Sequence, residues 1–339
     1  NSYQRETFRG ENIGIVFQRS HFVNSLTVKE NLELAQFIAN KKDNKKKLVS
    51  VQDKKLLTNK KIDIDFSHLE NEFVDFDRER LLFKMNSNEG PCLCVDDFNG
   101  DNLDDFFVGS AKGSVSSLFF QNGNTFIKYS KPFLSDIDSE DVDCISGDFN
   151  GDGLVDLIVS SGGSEYSNFS PELRDRLYIN LDKNSFEKEE KAFNELKKFE
   201  STSTVSAYDI DQDGDLDLFI GTRLNTGSYG TQTENYILTN DGNGVFKDVS
   251  EVYLGENKSM GMVTDSEFID IDLDGIDELI VVGEWMPIGV YKINKGKLIN
   301  ISSDLGLEKS NGLYNTLEVV INKDSFPDII IGNLSLIHI

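Results

Sequence analysis

Asp209, Asp211, Asp213 and Asp217 occupy positions 1, 3, 5 and 9 of the stretch DIDQDGDLDLFIG, with Gly214 at position 6. Carboxylates this close repel one another and remain ionised together only when a cation sits among them. The donors are all oxygens, with Asp215 at position 7 offering a backbone carbonyl and Gly214 permitting a sharp turn. Such a set suits a hard cation, and Ca2+ accepts six to eight oxygens in flexible geometry where Mg2+ demands a stricter octahedron. Calcium is the expected ion.

The pattern recurs at Asp97, Asp148, Asp209 and Asp270, which stand 51, 61 and 61 residues apart. DFNGDNLDDFFVG offers Asp97, Asn99, Asp101 and Asp105 with the Leu103 carbonyl, and Asn102 in the glycine position. DFNGDGLVDLIVS offers Asp148, Asn150, Asp152 and Asp156 with the Leu154 carbonyl. DIDLDGIDELIVVG offers Asp270, Asp272, Asp274 and Glu278 with the Ile276 carbonyl. A fifth copy, VINKDSFPDIIIG, keeps Asn322, Asp324 and Asp328 but has Val320 at position 1, so weak binding or none is expected there. About four calcium sites follow. An EF-hand would need Glu at position 12 and flanking helices; position 12 here is Val108, Val159, Ile220 or Val281, inside an apolar run. A cation held inside such a loop acts as a structural staple, so ligand binding is expected elsewhere.

These loops need rigid strands on both sides. Each is followed by a buried run (FFVG, LIVS, LFIG, LIVVG) and then by two apolar or aromatic strands around a turn of Asn, Asp and Gly: LFFQNGNTFIK, LYINLDKNSFEK, YILTNDGNGVFKD and VYKINKGKLIN. Four strands per repeat make one propeller blade. The fold class is therefore all-β, an incomplete β-propeller of about five blades over residues 64–333, preceded by a short α-containing N-terminal fragment. ELRDRL and KAFNELKKF are the segments expected to form short helical insertions.

With 339 residues and a net charge of -25, the chain can fill a core but is a poor partner for nucleic acid. No apolar run is long enough to cross a membrane, and no export signal opens the sequence as given. The three cysteines do not form a disulfide framework: Cys92 and Cys94 share one strand face, too close along the chain for an unstrained bridge, and all three read as small buried side chains.

The acidic repeats resemble FG-GAP/VCBS repeats, the units of integrin-α-like β-propellers. HLENEFVDFDRERLL, DRLYIN, MVTD and GEWMPIGVYK resemble the bacterial members associated with an ASPIC/UnbV domain. The resemblance implies an extracellular, cell-surface or periplasmic calcium-binding module that serves in adhesion or recognition, with an unknown protein or glycan as partner. Residues 1–40, with RGENIGIVFQRSHFVNSLTVKENLELA, resemble the Q-loop region of an ABC transporter ATPase with Gln18 as its glutamine. That fragment has no GxxxxGK[ST] loop and cannot hydrolyse ATP. A lysine-rich joint, residues 41–63, follows it, and LSLIHI, residues 334–339, resembles the translation of an adapter end. Both ends are expected to be foreign to the propeller, the first as a chimeric joint and the last as an artefactual tail.

No catalytic residues are assigned. The histidines are His21, His68 and His338, and no nucleophile or metal-water constellation accompanies them. A non-enzymatic binding module is the expected function; an enzyme acting on a glycan from the propeller axis is the alternative. Arg223, Tyr229 and Trp285 fall on loops that follow buried strands and are candidates for recognition. The competing expectation places Trp285 between blades and pairs Arg223 with an acid.

Overall fold

The structure is a computed structural model that describes residues 64–333 apart from residues 81, 183–184, 198–199 and 322–326. The ABC-like stretch, the lysine-rich joint and the final six residues lie outside the described residues. Blade 1 consists of β1 (Leu93–Asp96), β2 (Asp105–Val108), β3 (Ser117–Asn122) and β4 (Thr125–Tyr129). Blade 2 has β5 (Asp141–Gly147), β6 (Asp156–Ser161), β7 (Arg176–Asn180) and β8 (Phe186–Lys188). Blade 3 has β9 (Ser201–Tyr208), β10 (Asp217–Leu224), β11 (Tyr236–Asn240) and β12 (Phe246–Asp248). Blade 4 has β13 (Met262–Ile269), β14 (Glu278–Met286), β15 (Gly289–Ile293) and β16 (Leu298–Asn300). Within each blade the strands pair antiparallel in chain order. β17 (Gly312–Ile321) and β18 (Pro327–Asn333) open a fifth unit, and the start of β17 pairs with the end of β14, so units four and five share one six-stranded sheet.

One sequence rule builds the core. In the buried strand after each acidic loop, positions 10 and 12 point to one side of the sheet and position 11 to the other, because side chains alternate along a strand. Phe107 at position 11 of blade 1 packs with Leu157 and Val159, positions 10 and 12 of blade 2. Ile158 packs in turn with Leu218 and Ile220, and Phe219 with Leu279 and Val281. Ile280 meets Ile331 of the fifth unit in the last layer. Each Leu at position 10 in blades 2 to 4 is fully buried, which removes on the order of 2 kcal/mol of apolar exposure per side chain.

Helix is scarce among the described residues: α1 (Asp75–Arg78) and α2 (Ser250–Tyr253) are single turns. ELRDRL gives only a 3-10 turn at Pro171–Leu173, because Arg176 is drawn into β7 by its buried ion pair with Asp141. In KAFNELKKF the described residues 191–197 form successive tight turns where the sequence predicts a helix. Its Ala192 carbonyl accepts from Phe246 N at 2.9 Å and Phe193 stacks on Phe246 at 5.2 Å, so contacts with blade 3 replace the helical ladder. Cys92 and Cys94 are buried and Cys144 half-buried, all three as free thiols packed between blades 1 and 2.

The segment before β1 straps the blades together. Phe66 packs edge-on against Phe119 of blade 1 at 6.2 Å, and Arg78 donates to the carbonyls of Ser164 and Tyr166 in blade 2 at 2.8 and 2.6 Å. Glu79 accepts from Tyr229 N of blade 3 at 2.8 Å, and Glu89 pairs with Arg223. Since β6 and β10 start at acidic loops, the residues after them lie at the opposite end of the blades.

Candidate metal centre and recognition face

The acidic loops share one backbone frame. Position 1 accepts from the N–H groups of positions 5 and 6: Asp97 from Asp101 and Asn102 at 2.9 and 2.7 Å, Asp148 from Asp152 and Gly153 at 3.2 and 2.8 Å. Asp209 accepts from Asp213 and Gly214 at 3.0 and 3.1 Å, and Asp270 from Asp274 and Gly275 at 3.0 and 2.8 Å. Position 5 accepts from the N–H of position 7, which seats Leu103, Leu154, Asp215 and Ile276 at the turn at 2.8 to 3.0 Å. Position 6 is left-handed in all four loops, including Asn102 at φ 63°. Position 4 is left-handed too, and there two side-chain residues, Gln212 at φ 64° and Leu273 at φ 60°, adopt a conformation that costs each about 1–2 kcal/mol.

The position 9 carboxylates are the buried floor of each loop. Asp105, Asp156, Asp217 and Glu278 are each 0% exposed. Asp156 accepts from Asn180 N and Phe149 N at 2.8 and 3.1 Å, and Asp217 from Asn240 N and Ile210 N at 2.8 and 2.9 Å. Asp105 accepts from Gln121 N at 2.7 Å through one oxygen, while its other oxygen has no partner. Burial, opposed by these hydrogen bonds and reinforced by the other loop acids, pushes Asp105, Asp156 and Asp217 up to about 6. A cation beside them would reverse that cost.

Loops 3 and 4 bring three carboxylates together. In each of the sets Asp209, Asp211, Asp217 and Asp270, Asp272, Glu278, one oxygen per residue lies within 4.8 Å of the others. Loops 1 and 2 have Asn99 and Asn150 at position 3, so an amide oxygen takes the place of one charge. The donor set of oxygens, an orphaned buried carboxylate oxygen in loop 1 and crowded like charges in loop 3 fit a hard divalent cation. Of the fifth copy, residues 322–326 lie outside the described residues, and Asp328 is exposed where its counterparts are buried.

The fourth loop holds a cation of its own. Lys292 Nζ stands 2.6 Å from Asp272 Oδ2, 2.6 Å from Asp274 Oδ2 and 3.1 Å from Glu278 Oε1. Hydrogen bonds from Lys292 hold the Asp274 carboxyl below its ordinary value. The repeats carry the signal for it: the strand residue aligned with Lys292 is Phe120, Ile179 or Thr239 in the other blades. A second contact was equally unanticipated. Asn180 Nδ2 donates to Phe98 O at 2.8 Å and Asn240 Nδ2 to Phe149 O at 2.8 Å, so each Asn holds the acidic loop of the preceding blade. Ile293 takes that place in blade 4.

At the opposite end, Arg223 is buried between Glu89 and Glu284, as the pairing expectation holds. Trp285 does not pack between blades: it is 59% exposed at φ 59°, in a bulge of the β14–β17 pairing that turns it outward. Its Nε1 donates to Tyr229 OH at 3.0 Å, and Tyr229 OH donates to Glu284 Oε2 at 2.8 Å. Phe83 stands edge-on to both rings, at 6.1 Å from Tyr229 and 6.5 Å from Trp285. No helix among the described residues is long and apolar enough to cross a membrane.

Comparison with curated proteins finds no match. Among solved structures, this chain is similar to an Agrocybe aegerita lectin described as recognising non-reducing terminal N-acetylglucosamine, at 16% identity and TM-score 0.42, over 70% of this chain and 56% of that one. The chain thus spans little more than half of the lectin's length. It is also similar to a thermostable family-43 glycoside hydrolase, at 12% identity and TM-score 0.36, over 75% of this chain and 93% of that one. A third similar structure is the V. cholerae biofilm matrix protein Bap1, at 14% identity and TM-score 0.31, over 68% of this chain and 41% of that one. The FG-GAP-like repeat profile matches residues 97–159, 148–220 and 209–281, each match running from one acidic loop through the next buried strand. By these repeats, which extend over more than half of its length, the chain belongs to the FG-GAP-like repeat family.

Proposed function

We propose that this protein is a calcium-stabilised β-propeller module that acts outside the cell in adhesion or ligand recognition, binding without turnover. The observation that carries the reading is the repetition of one loop frame with a buried carboxylate floor in four blades. Calcium is structural in this reading. It neutralises the loops and locks one end of the blades, and extracellular calcium concentrations would keep the sites filled.

Recognition then belongs to the other end. Trp285 is held by hydrogen bonding, its exposure serves no core, and Tyr229 and Phe83 surround it. Left-handed backbone at a bulky residue persists where the surrounding structure supports it, often at binding sites. An exposed aromatic face beside hydroxyl and carboxylate groups suits the apolar face and rim hydroxyls of a sugar ring. The test is a glycan array probed with the full chain in calcium, with each bound glycan recovered and checked for cleavage. Intact bound glycans, lost with Trp285→Ala, are expected; cleavage would replace the binding module with an enzyme, and no binding to any glycan would remove the recognition face.

A further inference from the structure

β1 and β5 are neighbouring inner strands that run the same way. A Cβ on Gly90 would lie 3.0 Å from Asp141 O, and Ser146 Oγ donates to Asp96 Oδ2 at 2.7 Å. These two contacts fix an offset of 50 or 51 residues between the strands, which sets Cys94 beside Cys144. Both side chains turn into the same interblade layer, where they pack with Phe107 and Leu157. The repeat supplies a direct comparison. Cys94 stands three residues before the first acid of its blade, and Cys144 four before the first acid of the next. Between blades 3 and 4 those two positions are Ser206 and Ser266, whose Oγ atoms lie 2.6 Å apart. Between blades 2 and 3 they are Ile145 and Val205, packed in one cluster. The position brings two side-chain tips into contact, and between blades 1 and 2 both tips are sulfur.

We propose that Cys94 and Cys144 form a disulfide that staples blade 1 to blade 2. The oxidant is a small-molecule or protein disulfide. The Cys94 thiolate attacks one of its sulfurs, forming a mixed disulfide and expelling the first thiolate. The Cys144 sulfur then attacks Cys94 Sγ and expels the second. Two protein thiols are oxidised, one disulfide is reduced to two thiols, and the two protons released pass to the departing thiolates. The side-chain hydrogen bond with Cys144 holds the Cys94 thiol below the ordinary cysteine value, whereas burial pushes Cys144 well above it. Cys94 is thereby suited to attack first and Cys144 to resolve. Cys92 could not bridge to Cys94 but also contacts Cys144; burial holds its thiol above the ordinary cysteine value, so Cys94 is the better attacker and Cys92 the competitor that the variant below removes.

The bridge would close a loop of about 50 residues, long enough for a sizeable restriction of the unfolded chain. Its chemistry does not depend on calcium; only its occurrence in the cell rests on the extracellular placement proposed above. The full chain and its Cys92→Ser variant are equilibrated with reduced and oxidised glutathione in urea below the unfolding midpoint, so that local opening admits the oxidant. Thiols are then mapped by mass spectrometry, and melting is compared with the dithiothreitol-reduced protein. A Cys94–Cys144 linked peptide in both proteins is expected, with a melting temperature higher by about 5–10 °C. Three free thiols, glutathione adducts alone, a link through Cys92, or the expected link with no rise in melting temperature would overturn the proposal. A bridge that forms here but is absent from protein recovered from its native compartment would count against the placement and leave the site intact.

Discussion

Lys292 and Asp274, on β15 and in the fourth acidic loop, meet at 2.6 Å, so a side chain of the same blade supplies the positive charge that the loop's carboxylates require. The ammonium also reaches Asp272 and Glu278, two members of the three-carboxylate set. Calcium entering this loop must displace it. Lys292→Gln is therefore expected to lower the melting temperature in EDTA, where like charges are left facing one another, and to strengthen calcium binding at one site. Calorimetric titration of wild type and variant checks this. Equal calcium affinity in the two proteins would mean that the lysine does not compete.

Asp217 differs from its neighbours in the loop by being fully buried and accepting from Asn240 N and Ile210 N at once. Asp217→Asn keeps the shape but replaces one accepting oxygen with an amide that cannot accept, and removes a proposed calcium ligand. Urea unfolding in saturating calcium should show a loss of about 1–3 kcal/mol, and the calcium stoichiometry should fall by one site while the remaining sites bind as before.

The asparagine contacts between blades predict a coupling effect. Asn240→Ala leaves the Phe149 and Leu216 carbonyls without the amide that now donates to them at 2.8 and 3.2 Å. A cost of about 1–3 kcal/mol is expected, and because Phe149 belongs to the second loop, calcium binding in blade 2 should weaken although the substitution lies in blade 3. A purely local effect on blade 3 would contradict the coupling.

Much of this was legible in the sequence, and the reason is repetition. Four copies of one acidic spacing placed the loops, and the alternation within FFVG, LIVS, LFIG and LIVVG placed the buried strands and their neighbours. Features that break the repeat were harder to read. Lys292 fills the fourth loop from a position held by Phe120, Ile179 and Thr239 elsewhere, and that exception acquires meaning only once the strand register is known. The left-handed backbone at Gln212 and Leu273 has no sequence signal, since neither residue favours it. Residues 64–91 have no period at all; their contacts with Tyr166, Tyr229 and Arg223 are set by shape and charge across distances in sequence that no local pattern spans. Which of the two expectations holds for Trp285 is hidden for a related reason, because the bulge that turns it outward is a property of the pairing between β14 and β17.

Glu140 gives the fold a pH dependence. It is fully buried, accepts from Lys112 N at 2.9 Å, and burial together with the charges of Glu165 and Glu70 pushes its carboxyl up to about 8. In the unfolded chain it ionises near 4.5. Between those values the folded protein holds a proton that the unfolded chain has lost, so this group's contribution to stability falls as pH rises through that interval and levels off above it. Urea midpoints in EDTA should decline between about pH 5 and about pH 8, and Glu140→Gln should flatten the decline. An unchanged slope in the variant would assign the pH dependence to other carboxylates.

In the proposed reading the acidic loops are calcium sites coupled to folding. Thermal melting of the full chain in EDTA, then with increasing calcium, and in parallel with magnesium, tests it most directly. A cation that binds only the folded form stabilises by RT ln(1 + [L]/Kd), about 2.7 kcal/mol at a hundredfold excess over Kd for each site. The melting temperature is expected to climb with calcium and to respond weakly to magnesium. A cooperative melt that calcium does not move would contradict it.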